Sequence, residues 1–210
     1  MGAQKSDRRR RVAVPLILLA AAALTAGGTF SAFSSTTANS NNNYTAGTVY
    51  LSDNDANGFL YQATGRAPGD VTTQCLTVSY LGTLASDVKI YTPTALTDIG
   101  ALAPYVDLTI TPGTFSAPAP AFPSCGAAGV FTPAPGGAIF TGTLNGFLTT
   151  HRSWATGLST VPSGQTSWTT NDTVVYRVQL TLQDNNAANG GVGGALTTDP
   201  HAFTWEAQNQ

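Results

Sequence analysis

The run TVVYRVQLTLQ, residues 173–183, constrains the fold more than any other stretch of the chain. Val174, Tyr176, Val178, Leu180 and Leu182 share one side of an extended backbone, and Thr173, Arg177, Gln179 and Thr181 share the other. Successive residues of a strand point to opposite faces, so this pattern requires one buried and one wet face. Parallel sheets are buried on both faces and read as continuous apolar runs; a half-wet strand belongs to an antiparallel sheet lying on a core. The same period marks TVYLS (48–52), CLTVSYLG (75–82), DVKIY (87–91), YVDLTIT (105–111), AIFTGTL (138–144) and HAFTWEA (201–207) as strands. Turn chemistry separates them at APGD (67–70), TPG (111–113), APAPAFPS (117–124), PAPGG (133–137) and DNNAANGGVGG (184–194). Two stretches, 95–105 and 144–157, have the composition of short helices, and neither is long enough to build a helical layer. The expectation is an all-β fold: a single antiparallel β-sandwich of jelly-roll type over residues 48–210, with one or two short helices. No internal repeat divides it.

The first residues obey different rules. Arg8 to Arg11 form a positive n-region, and the 15 residues from Val12 to Ala26 form an apolar h-region. A membrane-spanning helix needs about 20 apolar residues, so an export signal over residues 1–31 is the expectation, with a retained anchor as the alternative. Cleavage between Ser31 and Ala32 leaves small residues, Thr29 and Ser31, at the two critical positions; cleavage after Ala32 would put Phe30 in one of them. No Cys near the junction suits a lipid anchor and no apolar tail follows FTWEAQNQ, so no stable membrane anchor is expected. Residues 1–31 hold one acid and five bases, and the rest of the chain holds 10 acids against 4 bases, a net charge near −6. Such a surface repels nucleic-acid phosphates, and nucleic acid is set aside as a partner.

Little else resembles chemistry. Cys75 and Cys125, an even count in an exported chain, are expected to form a disulfide. The two histidines, His151 and His201, belong to no HExxH helix, and no GxSxG elbow occurs, so no catalytic residue and no cofactor are assigned. Glu206 lies by alternation opposite Phe203 and Trp205 and reads as solvent-facing or paired. DNDANG, 53–58, offers Asp53, Asp55 and Asn57 in the order of the first half of a calcium loop, but Thr64 stands where a bidentate Glu is needed. A hairpin turn uses the same residues. Trp154 and Trp168 are either exposed aromatics of an adhesive or carbohydrate-binding face, or core residues.

GGTFSAFSS followed by NNNYTAGTVYLS resembles the start of the TasA/camelysin family, with its Gly-Gly-Thr-aromatic signal end, Ala-Phe mature start and aromatic-x-Ala-Gly-Thr strand. APGDVTTQCLTVSYLGTLASDVKIY (67–91) and FTWEAQ (203–208) are similar to further parts of that family's pattern; residues 92–170 carry little of it. The resemblance implies secretion through a dedicated signal peptidase, a jelly-roll domain and assembly into extracellular or biofilm-matrix fibres. The partners it implies are other copies of the chain and other matrix proteins. It further implies that the mature N-terminus, a flexible segment over 32–47 starting with Ala32, Phe33, Ser34, Ser35, Thr36 and Thr37, adds as a donor strand to the next subunit's sheet. The chain is shorter in its middle than the fibre-forming members, and its Cys pair lies outside their pattern. Camelysin-type members described as metalloproteases make a secreted metalloendopeptidase the rival reading.

Overall fold

A computed structural model describes residues 46–93, 99–184, 188 and 196–210. The expected signal peptide, its cleavage point at Ser31–Ala32 and the donor segment from Ala32 to Thr37 lie outside them. The described strands are β1 (Leu51–Asp53), β2 (Val71–Tyr80), β3 (Ser86–Tyr91), β4 (Val106–Phe115), β5 (Phe131–Pro133), β6 (Phe140–Thr143), β7 (Leu158–Thr160), β8 (Thr173–Leu182) and β9 (Thr204–Asn209). One helix, α1 (Leu144–Thr150), and one 3₁₀ turn, Ala103–Tyr105, accompany them.

The alternating run forms β8, at the middle of the larger sheet. That sheet runs β1-β2-β8-β4-β5, and β6 pairs with β4 on the same side as β5. The smaller sheet runs β7-β3-β9. All named pairs are antiparallel, and the architecture is the all-β sandwich that the period-2 pattern requires. Leu76, Val78 and Tyr80 of β2, Leu108 and Ile110 of β4, and Val174, Tyr176 and Val178 of β8 are buried in one core with Val88 and Ile90 of β3. Burying a side chain of this size contributes about 1.5–3 kcal/mol.

Buried hydroxyls tie the two sheets together. Tyr80 of the larger sheet meets the Ser86 hydroxyl of the smaller at 2.7 Å, and the Tyr176 hydroxyl pairs with that of Thr160 on β7. The Tyr176 ring also packs against Trp205 of β9 with centroids 5.2 Å apart. A buried hydroxyl without a partner would cost about 1–3 kcal/mol, so these pairs fix which residues face each other as well as how closely. On the outward face of the larger sheet, Cys75 is buried because the 116–130 loop lies over it. Its N–H donates to the Pro123 carbonyl at 2.8 Å, and its sulfur is bonded to Cys125.

Three expectations are corrected. TPG, 111–113, is the interior of β4 and not a turn. The Pro112 carbonyl accepts from Ala134 N–H at 2.9 Å, so in an antiparallel ladder its missing N–H also points away from β8, into the interval between β6 and β5. Gly113 follows because β5 crosses it closely: a Cβ there would stand 2.3 Å from the Thr132 carbonyl oxygen. Of the two alternatives left open for Trp168, the core is the one found: it is 0% exposed, with its indole N–H donating to the Thr160 carbonyl at 2.6 Å. The final strand starts at Thr204, not at His201. The 144–157 helix is the seven residues of α1, capped by the Thr143 hydroxyl, which accepts from Gly146 N–H at 3.1 Å.

Candidate functional site

A β-sandwich that has not closed into a barrel has edges, and an unpaired edge is a ready template for another strand. Five strands stand at the edges, and they differ; β6 has four residues and runs straight into α1. β1 and β7 are three residues each, and β7 runs into Pro162 two residues on. The carbonyl of Thr160, at the end of β7, is taken by the Trp168 indole. β5 ends in Pro133, with Pro135 beyond it. β9 has six residues, no proline and one charge, Glu206.

The register settles which groups of β9 point out. Gln210 N–H donates to the Ala85 carbonyl, and Asn209 stands opposite Ser86. By alternation Thr204, Glu206 and Gln208 bond to β3, while Phe203, Trp205, Ala207 and Asn209 turn their main-chain groups away from it. Among the described residues those outward groups have no hydrogen-bond partner. The side chains hold the strand against β3 and the core. The Tyr91 hydroxyl donates to Glu206 Oε2 at 2.6 Å and the Gln208 amide to Oε1 at 2.8 Å. These bonds depress the Glu206 carboxyl below its ordinary value, and the same carboxylate raises the Tyr91 hydroxyl. Glu206 is thus paired, one of the two readings that alternation left open. Phe203 and Trp205 face inward, onto Phe147 and Tyr176.

The histidines flank this strand without converging. The His151 Nδ1 lies 2.6 Å from the Thr156 carbonyl, and its ring packs on Phe147 and Phe140. His201 Nδ1 lies 2.8 Å from the Asp199 carbonyl, and its Nε2 pairs with the Tyr61 hydroxyl. A carbonyl only accepts, so Nδ1 carries the proton and Nε2 accepts from Tyr61. Burial lowers the His201 pKa and raises that of Tyr61. The two residues are 140 positions apart, and no local signal in the sequence could have paired them.

DNDANG is a turn that consumes its own carboxylates. Asp53 accepts from Asp55 N–H at 3.2 Å, Asp55 accepts from Asn57 N–H at 2.7 Å, and Ala56 and Asn57 take positive φ. The Asn54 amide oxygen accepts from Thr77 N–H at 2.9 Å and pins the turn to β2. Burial is the largest influence on Asp53 and raises its carboxyl; the Asp55 N–H lowers it, and the Asp55 carboxylate raises it. Trp154 is half-buried beneath Lys89, whose Nζ lies 4.8 Å from the ring centroid. Trp168 in the core removes one of the two aromatics from any adhesive face.

Residues 9–107 match the model of the camelysin metallo-endopeptidase family, from the basic n-region to the first residues of β4. No curated protein matches the chain. The family's name implies a metal, and the described residues do not fit one. No three His, Cys, Asp or Glu side chains among them come together, both His201 nitrogens are engaged within the protein, and the cysteines are bonded to each other. Residues 9–107, just under half of the chain, carry the pattern of the camelysin family, to which TasA also belongs.

Proposed function

We propose that the chain is a secreted structural subunit of an extracellular matrix, and that the N-terminal segment of one copy adds as a strand to β9 of the next. The observation that carries this reading is the open edge of β9: four residues whose outward main-chain groups are unpaired among the described residues, on a strand held firmly from behind. Paired main-chain groups give affinity along such an edge, and alternate side chains give register. The segment from Ala32 to Thr45 suits the task. Its 14 residues span up to about 46 Å when extended, against about 20 Å for a six-residue strand, so it reaches a neighbour with length to spare. Phe33 supplies an apolar anchor, the Thr residues favour strand geometry, and the Asn-rich run before Tyr44 is polar enough to remain solvated until it pairs. Head-to-tail addition whose rotation does not close a ring produces open fibres. Export by a signal peptidase that exposes Ala32 is part of the same reading; among the described residues no helix is long and apolar enough to cross a membrane.

Electron microscopy of the mature protein tests the proposal. The full mature chain forms fibres, while a chain lacking residues 32–43 remains a folded monomer with an unchanged far-UV circular dichroism spectrum. Fibres from the truncated chain would overturn it. The family name favours a second reading, a secreted metalloendopeptidase. Casein digestion with and without a chelator separates the two: the structural reading predicts no chelator-sensitive cleavage, and the enzyme reading predicts cleavage that survives removal of residues 32–43.

A further inference from the structure

We infer that Tyr61 and His201 form an acid-released latch that fastens two loosely held segments, 59–66 and 196–203, beside the start of β9. The inference is independent of fibre assembly. Among the described residues, 59–66 make no main-chain hydrogen bond. Residues 196–203 are held, among the described residues, by two main-chain bonds, Leu102 N–H to the Thr197 carbonyl at 3.0 Å and Asp199 N–H to the Ile99 carbonyl at 3.3 Å. Segments with so few main-chain bonds open locally at far lower cost than the sandwich itself. The side-chain bond between Tyr61 and His201 joins them, and Phe203 lies against both rings, 6.4 Å from Tyr61 and 6.2 Å from His201 between centroids.

Each ring nitrogen of His201 has one partner, and the arrangement suits the neutral ring, which donates at Nδ1 and accepts at Nε2. With Nδ1–H on the Asp199 carbonyl, a second proton at Nε2 would meet the Tyr61 O–H head-on. The hydroxyl would have to turn its hydrogen away, and its donation to the ring would be lost. The Asp199 carbonyl favours the cation, and burial outweighs it. Asp199, on the same segment, presents its carbonyl; the 59–66 loop presents Tyr61; Phe203, just before β9, lies against the ring, with Glu206 on the opposite face of the strand; and Phe147 of α1 packs behind Phe203, with His151 beyond it. Among the described residues no charged side chain acts on the ring, and burial holds its pKa below the ordinary 6.5. The sign follows. The open segment binds a proton near pH 6.5 and the closed one only at lower pH, so closure is complete above 6.5 and weakens as pH falls from there toward the closed-state pKa. Each unit between the two pKa values weakens closure about tenfold.

Amide exchange followed by NMR in the full mature chain, corrected for intrinsic rates, tests the latch. Protection at Leu102, Asp199 and Glu206 should fall together between pH 7.5 and 5 while Val178 in β8 stays protected. Tyr61→Phe should show the low protection already at pH 7.5, and His201→Gln should show protection that does not vary with pH. Constant protection in the natural chain over this range, or an unchanged pH response in His201→Gln, would overturn the inference. Should His201→Gln fail to fold, the ring-proton titration of His201 in the natural chain decides: a midpoint below 6.5 supports the latch, and one at or above 6.5 refutes it.

Discussion

Trp168 and Trp154 are 14 residues apart and occupy opposite environments. Trp168 fills the core and satisfies its indole N–H on Thr160, whereas Trp154 is half-buried under the Lys89 side chain. Trp168→Ala should therefore cost about 3–5 kcal/mol, through lost burial and a cavity, and Trp154→Ala about 1 kcal/mol or less. Urea unfolding of both variants checks the difference, and equal losses would contradict the placement. The sequence could not tell these tryptophans apart because neither lies in an alternating run; their fates depend on which distant residues arrive beside them. The same holds for Tyr61 and His201. Glu206 was legible, since a residue between Trp205 and Ala207 in a strand whose aromatics face inward must itself point out.

At the scale of elements, the long strands announced themselves. β2, β4 and β8 each run ten residues, long enough for period two to stand clear of chance, and all three were expected. β5 and β7 were not, because three residues carry no usable period and their pairing is decided by β4 and β3 alongside them. Pro112-Gly113 has the composition of a turn and lies inside a strand, because the interval between β6 and β5 removes the need for the proline N–H. The Cys75–Cys125 bond closes a loop with a sequence separation of 50 residues, and the chain-entropy model gives such a loop about 4 kcal/mol, a model-dependent figure. Reduction should lower the melting temperature while the far-UV circular dichroism signal of the sheet survives below it, since the core strands bury their own apolar faces. Loss of the sheet on reduction at room temperature would show that the disulfide, not the core, holds the fold.

For the molecule as a whole, period two was enough to imply an antiparallel sandwich, but not which strand would be left open. The end of the smaller sheet is set by pairings between β3 and residues more than a hundred positions away. The open edge of β9 joins the fold to the proposed assembly, and its register makes that claim testable at one residue. Ala207 N–H points away from β3, so a proline there leaves the β3–β9 ladder intact, removes one outward donor and puts a ring in the path of an incoming strand. Fibre formation by Ala207→Pro, followed by electron microscopy with circular dichroism as the control for folding, is the most direct measurement. The account predicts a folded protein that remains monomeric under conditions where the natural chain forms fibres. A folded Ala207→Pro protein that assembles as well as the natural chain would contradict it.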